Sequence, residues 1–416
     1  MLKSYIKLAI KVLLRRKFFT FISLFGICFT LIVLMVVSAL VDHIIKPPGP
    51  ENRSERFLLA HRMLLRSPDR ESSSSSSPGY RFLDRHVRTL QTPELVSIFA
   101  GDRKVVTFKD GKRILSSLKL TDGEYWRILD FQFLEGGPFT ADDERNGNFV
   151  AVINRTTRER FFGDEPALGR SIEADGQTFR VVGVVENVSV LEDSAYSEIW
   201  APIRTSKSSA YRHQMLGGFY GIMLARTPSD IPKIKAEFEA VLEHDVDFPD
   251  PKQYNWAMSC ADTKIERLAR EFMNDDDNFQ ASSGKLIVMV SGLALLFMLL
   301  PAINLININV SRILERSSEI GIRKSFGASS RTLIGQFLVE NVILTAIGGI
   351  FGFAGAFVVL HTISGSGLIP YAEFHLNLRI FAYGVILILC FGVLSGVYPA
   401  WKMSRLHPVE ALRGRA

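Results

Sequence analysis

The sequence predicts a membrane protein with four transmembrane α-helices and a large extracytoplasmic α+β domain inserted between the first and second. Three observations predict it. Apolar runs long enough to cross a bilayer occupy 18–41, 286–310, 332–363 and 380–401. Between the first two lie roughly 240 polar residues without a further span. Charge is also partitioned. Residues 42–283 hold 32 Lys+Arg and 38 Asp+Glu, whereas the other 174 residues hold 17 and 5. Positive charge that flanks apolar runs is a topology signal. A nucleic-acid binder would instead gather it on a folded face, so lipid and not nucleic acid is the expected partner.

Residues 1–17 are expected to form a cytoplasmic amphipathic helix. Lys3, Lys7 and Lys11 recur every four residues, with Tyr5, Ile6, Leu8, Ala9, Val12 and Leu13 on the other face. The run Phe18–Val41 carries no charge. It is too long for a typical signal-peptide core and, as a helix of about 36 Å, spans the hydrocarbon layer. Pro47–Pro50 then break the helix.

Within 42–283, Arg56–Leu65 is expected as a strand, Ser72–Ser77 with Pro78-Gly79 as a mobile low-complexity loop, and Tyr80–Leu90 as a helix. Asp110-Gly111 and Asp175-Gly176 each sit between strand-like runs and predict two hairpins. Ile231–Leu242, opened by Ser229 and Asp230, and Lys264–Phe272 are expected helices.

The second span, 286–310, contains Pro301 and the polar Asn304, Asn307 and Asn309. A charged loop follows at 311–331, with Arg312, Glu315, Arg316, Glu319, Arg323, Lys324 and Arg331. Such a segment cannot lie in hydrocarbon. Ile313, Leu314, Ile320 and Ile322 among the charges predict a short surface helix, stopped at Gly327. The third span, 332–363, carries Gly348, Gly352 and Gly355, and the fourth, 380–401, carries Gly392 and Gly396. Small residues at such spacing let helices approach closely. Glu340 is an intramembrane acid, expected to reach the cytoplasmic surface or to pair with a basic residue. Lys+Arg number six in 1–17, five in 312–331, four in the tail 402–416, and none in 364–377. Both termini and the 311–331 loop are therefore expected in the cytoplasm, and the large domain and the short 364–379 loop outside it.

Several chemistries are excluded. There is no GxxxxGK[ST] phosphate cradle, GxSxG elbow, GxGxxG fingerprint, HExxH or CxxC. The chain is not expected to be an enzyme or to hold a cofactor or metal. Its eight histidines show no metal-ligand spacing, and the acid runs 142–144 and 275–277 are expected as solvated loops. Three cysteines, Cys28, Cys260 and Cys390, leave one in the polar region and no disulfide to close there.

The stretch ERSSEIGIRKSFGASSRTLIGQFLVENVILTAIGGIFGFAGA resembles the C-terminal signature of FtsX-like permeases, the membrane subunits of MacB-type (type VII) ABC transporters. Glu315, Arg316, Glu319, Ile320, Gly321, Arg323, Lys324 and Gly327 match its loop. The ending YPAWKMSRLHPVEALR matches as well. Residues 125–185 are similar to the MacB-like periplasmic core domain. The resemblance implies a four-span permease in the cell inner membrane that works with a separate ATPase dimer, which binds ATP and Mg, and with a second permease copy or paralogue. Those eight loop residues would be the ATPase-coupling set. ATP-driven closure would move the spans and, through them, the periplasmic domain. The resemblance implies export of a peptide, antibiotic or other amphipathic substrate, with a periplasmic adaptor and a TolC-like outer-membrane channel. Lipoprotein release of the Lol type and regulation of a cell-wall hydrolase are the alternatives within the family, and a single-chain receptor lies outside it.

Overall fold

The structure, a computed structural model, describes residues 11–273 except 12, 16 and 110, residues 283–296, 299, 303, 330–374, 377–379, 381–386, 389, 390 and 393. The chain divides into a helical unit (Met1–Val41, Ile287–Ser366, Phe374–Ala416) and a polar unit (Asp42–Leu286, Gly367–Glu373).

In the helical unit, helices α1 (Lys17–Ile45) and α6 (Ser330–Ser366) contain Thr20–Ile45 and Leu338–Ser366, each long and apolar enough to cross a membrane. A shorter apolar helix covers Ser283–Leu296. About half of the expected second span, most of the fourth, most of the expected N-terminal helix, the whole 311–329 stretch and the 402–416 tail lie outside the described residues. Helix α1 stops at Ile45, just before the Pro47–Pro50 segment.

The polar unit is built from thirteen strands: β1 (Phe57–Arg66), β2 (Ser73–Pro78), β3 (Leu95–Ala100), β4 (Arg103–Lys109), β5 (Lys112–Thr121), β6 (Phe133–Gly136), β7 (Val150–Asn154), β8 (Ser171–Ala174), β9 (Gln177–Val185), β10 (Ile199–Pro202), β11 (Leu216–Gly217), β12 (Phe219–Leu224) and β13 (Trp256–Asp262). Six of them close on themselves in the order β5–β4–β8–β9–β7–β10, because β10 pairs with both β7 and β5. Closure removes the free strand edges. Lys109 opposite Lys112 closes the β4–β5 hairpin, and Ala174 opposite Gln177 closes the β8–β9 hairpin, as the two Asp-Gly pairs predict. At the second, Asp175 (φ 55°) and Gly176 (φ 68°) both take the positive φ that a type I′ turn requires.

The remaining sheet is centred on β1. Its first half pairs with β12, which continues to β3, and its second half with β2, which continues to β11; β13 lies along its other side. The pleat separates two cores. Leu58 and Ala60 face Phe82, Leu83, Val87, Ile234 and Phe238. Phe57 and Leu59 face an aromatic group that includes Phe99, Tyr125 and Trp200. Among the described residues, the unit's helices of six residues or more are α2 (Ala141–Asn146), α3 (Arg155–Phe162), α4 (Ile231–His244) and α5 (Lys264–Met273).

Three expectations need correction. The serine run is not a mobile loop: it forms β2, held by ladder bonds to β1 and β11 and by Ser74 Oγ against the Tyr254 hydroxyl at 2.7 Å. Asp142, Asp143 and Glu144 are not a solvated loop but the first turn of α2. There the Asp143 amide donates to Thr140 Oγ1, and the Thr140 amide donates to the Asp143 carboxylate. The Tyr80–Leu90 helix is a single α-turn (Tyr80–Phe82) running into a wider π-turn (Leu83–Val87).

Candidate functional site

Three stretches of the polar unit border apolar helices in the sequence: 46–56 after α1, 262–273 ahead of 283–296, and 367–373 after α6. All three bond to one loop, 189–195. The Val190 amide donates to Pro370 O at 3.1 Å. The Ser194 and Ala195 amides donate to Glu51 Oε1 at 2.9 and 3.1 Å. Glu51 Oε2 pairs with Lys264, and Asp193 pairs with Arg267, which also donates to Glu271 at 3.0 Å. The loop's carbonyls are engaged from the barrel side. Lys119 Nζ donates to Asp193 O and Ser194 O at 2.7 and 2.8 Å. The Tyr125 hydroxyl donates to Ser194 O at 2.7 Å, and Trp200 Nε1 donates to Ala195 O at 3.1 Å. The loop therefore joins the three stretches to the closed barrel through both faces of its backbone.

Local sequence explains the geometry. Thr263 caps α5, its amide and hydroxyl donating to Glu266 Oε2 at 2.8 and 2.9 Å, which fixes where the helix starts. Lys264 and Arg267 then fall one turn apart on one side of α5, the spacing at which helix neighbours align. Glu51 is 2% exposed, so its charge requires the Lys264 partner. Beside it, Glu192 Oε2 accepts the Glu51 amide at 3.0 Å. A Cβ added at Gly49 would lie 2.3 Å from the Glu192 carboxylate, so a larger residue there would have to displace that carboxylate. A cleft of about 240 Å³ opens at this junction, walled by Ile44, Phe57, Leu59, Leu191, Ile222 and Leu268.

Burial pushes the Glu192 carboxyl up to about 7, and the Glu51 carboxylate adds to the rise. A carboxyl raised in the folded state holds its proton more tightly folded than unfolded. Its contribution is therefore most favourable below the ordinary value of 4.5 and falls as pH climbs to about 7. The loss amounts to about 3 kcal/mol. Glu192→Gln is expected to raise the melting temperature at pH 8 and to leave it nearly unchanged at pH 4.5. An equal difference at both values would contradict the protonation argument.

A second cluster was not legible as metal spacing. His61, Cys260 and Asp262 bring their ligand atoms within 4.8 Å of one another, which corrects the picture of scattered histidines. The chemistry is that of an ion-pair network. Arg270 donates to both Asp262 oxygens at 2.9 and 3.1 Å, and His61 Nε2 lies 2.9 Å from Oδ2. Burial works to raise the Asp262 carboxyl, but the hydrogen bonds from His61 and Arg270 overcome it and hold the group down at about 2. Burial pushes the Cys260 thiol up to about 12, far from the thiolate that a metal needs. The guanidinium on both carboxylate oxygens already balances the charge that would attract a cation. Chelator is expected to leave the melting temperature of the purified protein unchanged. A fall of several degrees, restored by zinc, would contradict this.

The residues expected from sequence are placed as follows. Gly348, Gly352 and Gly355 face α1: an added Cβ would lie 2.6 Å from Ile27, 2.9 Å from Leu31 and 2.5 Å from Ile32, respectively. Cys28 Sγ lies 3.3 Å from Gly348 O at the same crossing. Glu340 is 1% exposed, so it is enclosed by protein. Glu315, Arg316, Glu319, Ile320, Gly321, Arg323, Lys324, Gly327, Gly392 and Gly396 lie outside the described residues. The junction residues were not found from sequence, because Glu51 reaches partners 141 to 213 positions away.

Comparison with known proteins decides the family. The MacB-like periplasmic core domain profile matches residues 20–241, and the FtsX-like permease C-terminal profile matches 291–408. The chain belongs to the MacB/FtsX-like permeases of ABC transporters. It is 27% identical to the uncharacterized ABC transporter permease YknZ of Bacillus subtilis over 71% of this chain and 68% of that one. It is 26% identical to the macrolide export ATP-binding/permease protein MacB of Wolinella succinogenes, over 78% of this chain and 47% of that one. It is 28% identical to the pyoverdine export ATP-binding/permease protein PvdT of Pseudomonas syringae pv. tomato, over 70% of this chain and 42% of that one. The solved extracellular domain of YknZ superposes with a TM-score of 0.36 at 15% identity, covering 48% of this chain and 98% of that one. Members of this family are membrane-embedded permeases of ABC transporters that carry a periplasmic domain, and some, such as MacB and PvdT, are named as ATP-binding/permease proteins.

Proposed function

We propose that this permease transmits force from a separate cytoplasmic ATPase dimer to its own polar unit, which lies outside the cytoplasmic membrane. Four spans, with both termini inside, place the 311–331 loop against the ATPases. ATP and Mg stay with those subunits, and the permease pairs with a second copy or a paralogue. The observation that supports this reading is the convergence of all three helix-bordering stretches on loop 189–195. A domain that served only as a tethered receptor would need one such connection. Here movement of any helix end reaches the same backbone and, through Lys119, Tyr125 and Trp200, the barrel. The cargo class that fits is an amphipathic small molecule or peptide handled at the outer face of the membrane. The macrolide and pyoverdine exporters among the relatives favour export, with a periplasmic adaptor and outer-membrane channel as further partners.

In a complex reconstituted with the ATPase, Glu319→Lys or Gly327→Val is expected to lower permease-stimulated ATP hydrolysis about tenfold or more while membrane insertion stays normal. A reversed charge in a docking contact costs a few kcal/mol, and a β-branched residue where the helix stops resists the left-handed turn. Wild-type turnover in both variants would contradict a coupling role for the loop.

A further inference from the structure

Almost every strand edge in the polar unit is managed. The six-stranded ring has no free ends, and the β2–β11 edge is serine-rich and ends in a two-residue strand. Besides β11, two strands have one partner each among the described residues: β6, four residues long and with a register shift against β9, and the seven-residue β13, which pairs with β1. Strand β13 offers the longer edge. Its sequence, WAMSCAD, has no lysine or proline, and the register shift in this pair falls between Ala60 and Met63 of β1. Exposed edges are usually blunted by lysine, proline or a bulge on the edge strand, because they template pairing with another chain. A groove of about 720 Å³ runs along the first half of this edge, between Asn255–Ser259 and the C-terminal end of α4. Its lining includes half-buried Leu242, Val246, Phe248, Trp256 and Met258. Its rim is acidic. Residues 239–250 contain Glu239, Glu243, Asp245, Asp247 and Asp250 and no lysine or arginine. Asp247 is held by Arg81 and Arg85, whereas Glu239 and Glu243 stand exposed beside the groove.

We propose that the β13 edge is a docking site for an extended, basic segment of a partner protein outside the membrane, which adds a strand to the sheet. Alternate residues of an edge strand direct both N–H and C=O outward, so four or five partner residues find a ladder there. Their side chains alternate. One set enters the apolar groove, and a lysine or arginine in or beside the strand meets Glu239 and Glu243. The groove lies at the end of β13 remote from α5, which suits a protein partner better than a lipid. The site needs neither ATP nor the ATPase, so its test is independent of the proposed transport role.

The test uses the full-length permease in nanodiscs and three fluorescent eight-residue peptides, read by anisotropy. One alternates valine with lysine, one alternates valine with glutamate, and one is the lysine peptide N-methylated at alternate backbone nitrogens. The lysine peptide is expected to bind at least tenfold more tightly than the other two. Glu239→Lys with Glu243→Lys, both at exposed helix positions, is expected to weaken it at least tenfold. Equal binding of the N-methylated peptide, equal binding of the acidic one, or no binding of any would overturn the proposal. So would a Met258→Cys variant that cross-links two copies in the intact assembly, because the edge would then belong to a second copy of this chain.

Discussion

Replacing Lys264 with methionine is expected to cost the polar unit about 3–5 kcal/mol, the usual result of stripping the partner from a buried charge. Glu51 would keep its two amide donors but face the buried Glu192 carboxyl with no cation on its second oxygen. For a unit of this size the loss lowers the melting temperature by roughly 10 °C. Adding Glu51→Met is expected to recover part of it, because two apolar groups in place of a buried pair leave no orphaned charge. A purely structural role ends there. The coupling role predicts more: the double variant, though refolded, hydrolyses ATP with its partner yet loses at least tenfold in transport. Normal transport by the double variant would reduce the junction to a fold-stabilising contact.

Gly348→Leu is the second large effect. An added Cβ alone would lie 2.6 Å from Ile27 Cγ2 and 3.0 Å from its Cβ, a branched side chain fixed on the facing helix. A leucine must push α6 off α1. Overpacking of this kind costs about 1–3 kcal/mol at the site itself. The close approach at Gly352 and Gly355 further along the seam would loosen as well. Gly365→Leu is the control, since nothing lies within 4 Å of its added Cβ. Engineered cysteine cross-linking between α1 and α6 is expected to fall sharply in the first variant and to stay normal in the second. Equal cross-linking in both would remove the packing role.

The apolar runs of α1 and α6, the two hairpins and α4 were legible because each is set by local chemistry. A turn requires positive φ, a helix a periodic face, a span a long uncharged run. The barrel was not. Strands β7 and β10 are buried at every position, so they lack the alternation that marks a half-exposed strand. They pair with each other across about 45 residues, and each has a parallel partner besides, β9 for β7 and β5 for β10. The serine strand misled for the opposite reason: its residues have no strong strand preference, and ladder bonds from both neighbours decide its conformation. The junction combines residues from three separated stretches, so no local pattern could have announced Glu51, Glu192 and Lys264. The glycines of α6 were legible as spacing, but which helix they meet was not.

The most direct measurement is the distance between spin labels on the β4–β5 hairpin of the polar unit and on the 367–373 stretch that borders α6. It would be taken in the permease–ATPase complex with and without a non-hydrolysable ATP analogue. The account predicts that the analogue shifts the distance in the wild type, and that the shift disappears in the Lys264→Met, Glu51→Met variant while the nucleotide still binds. An identical distance with and without nucleotide, in a complex that still transports, would contradict it.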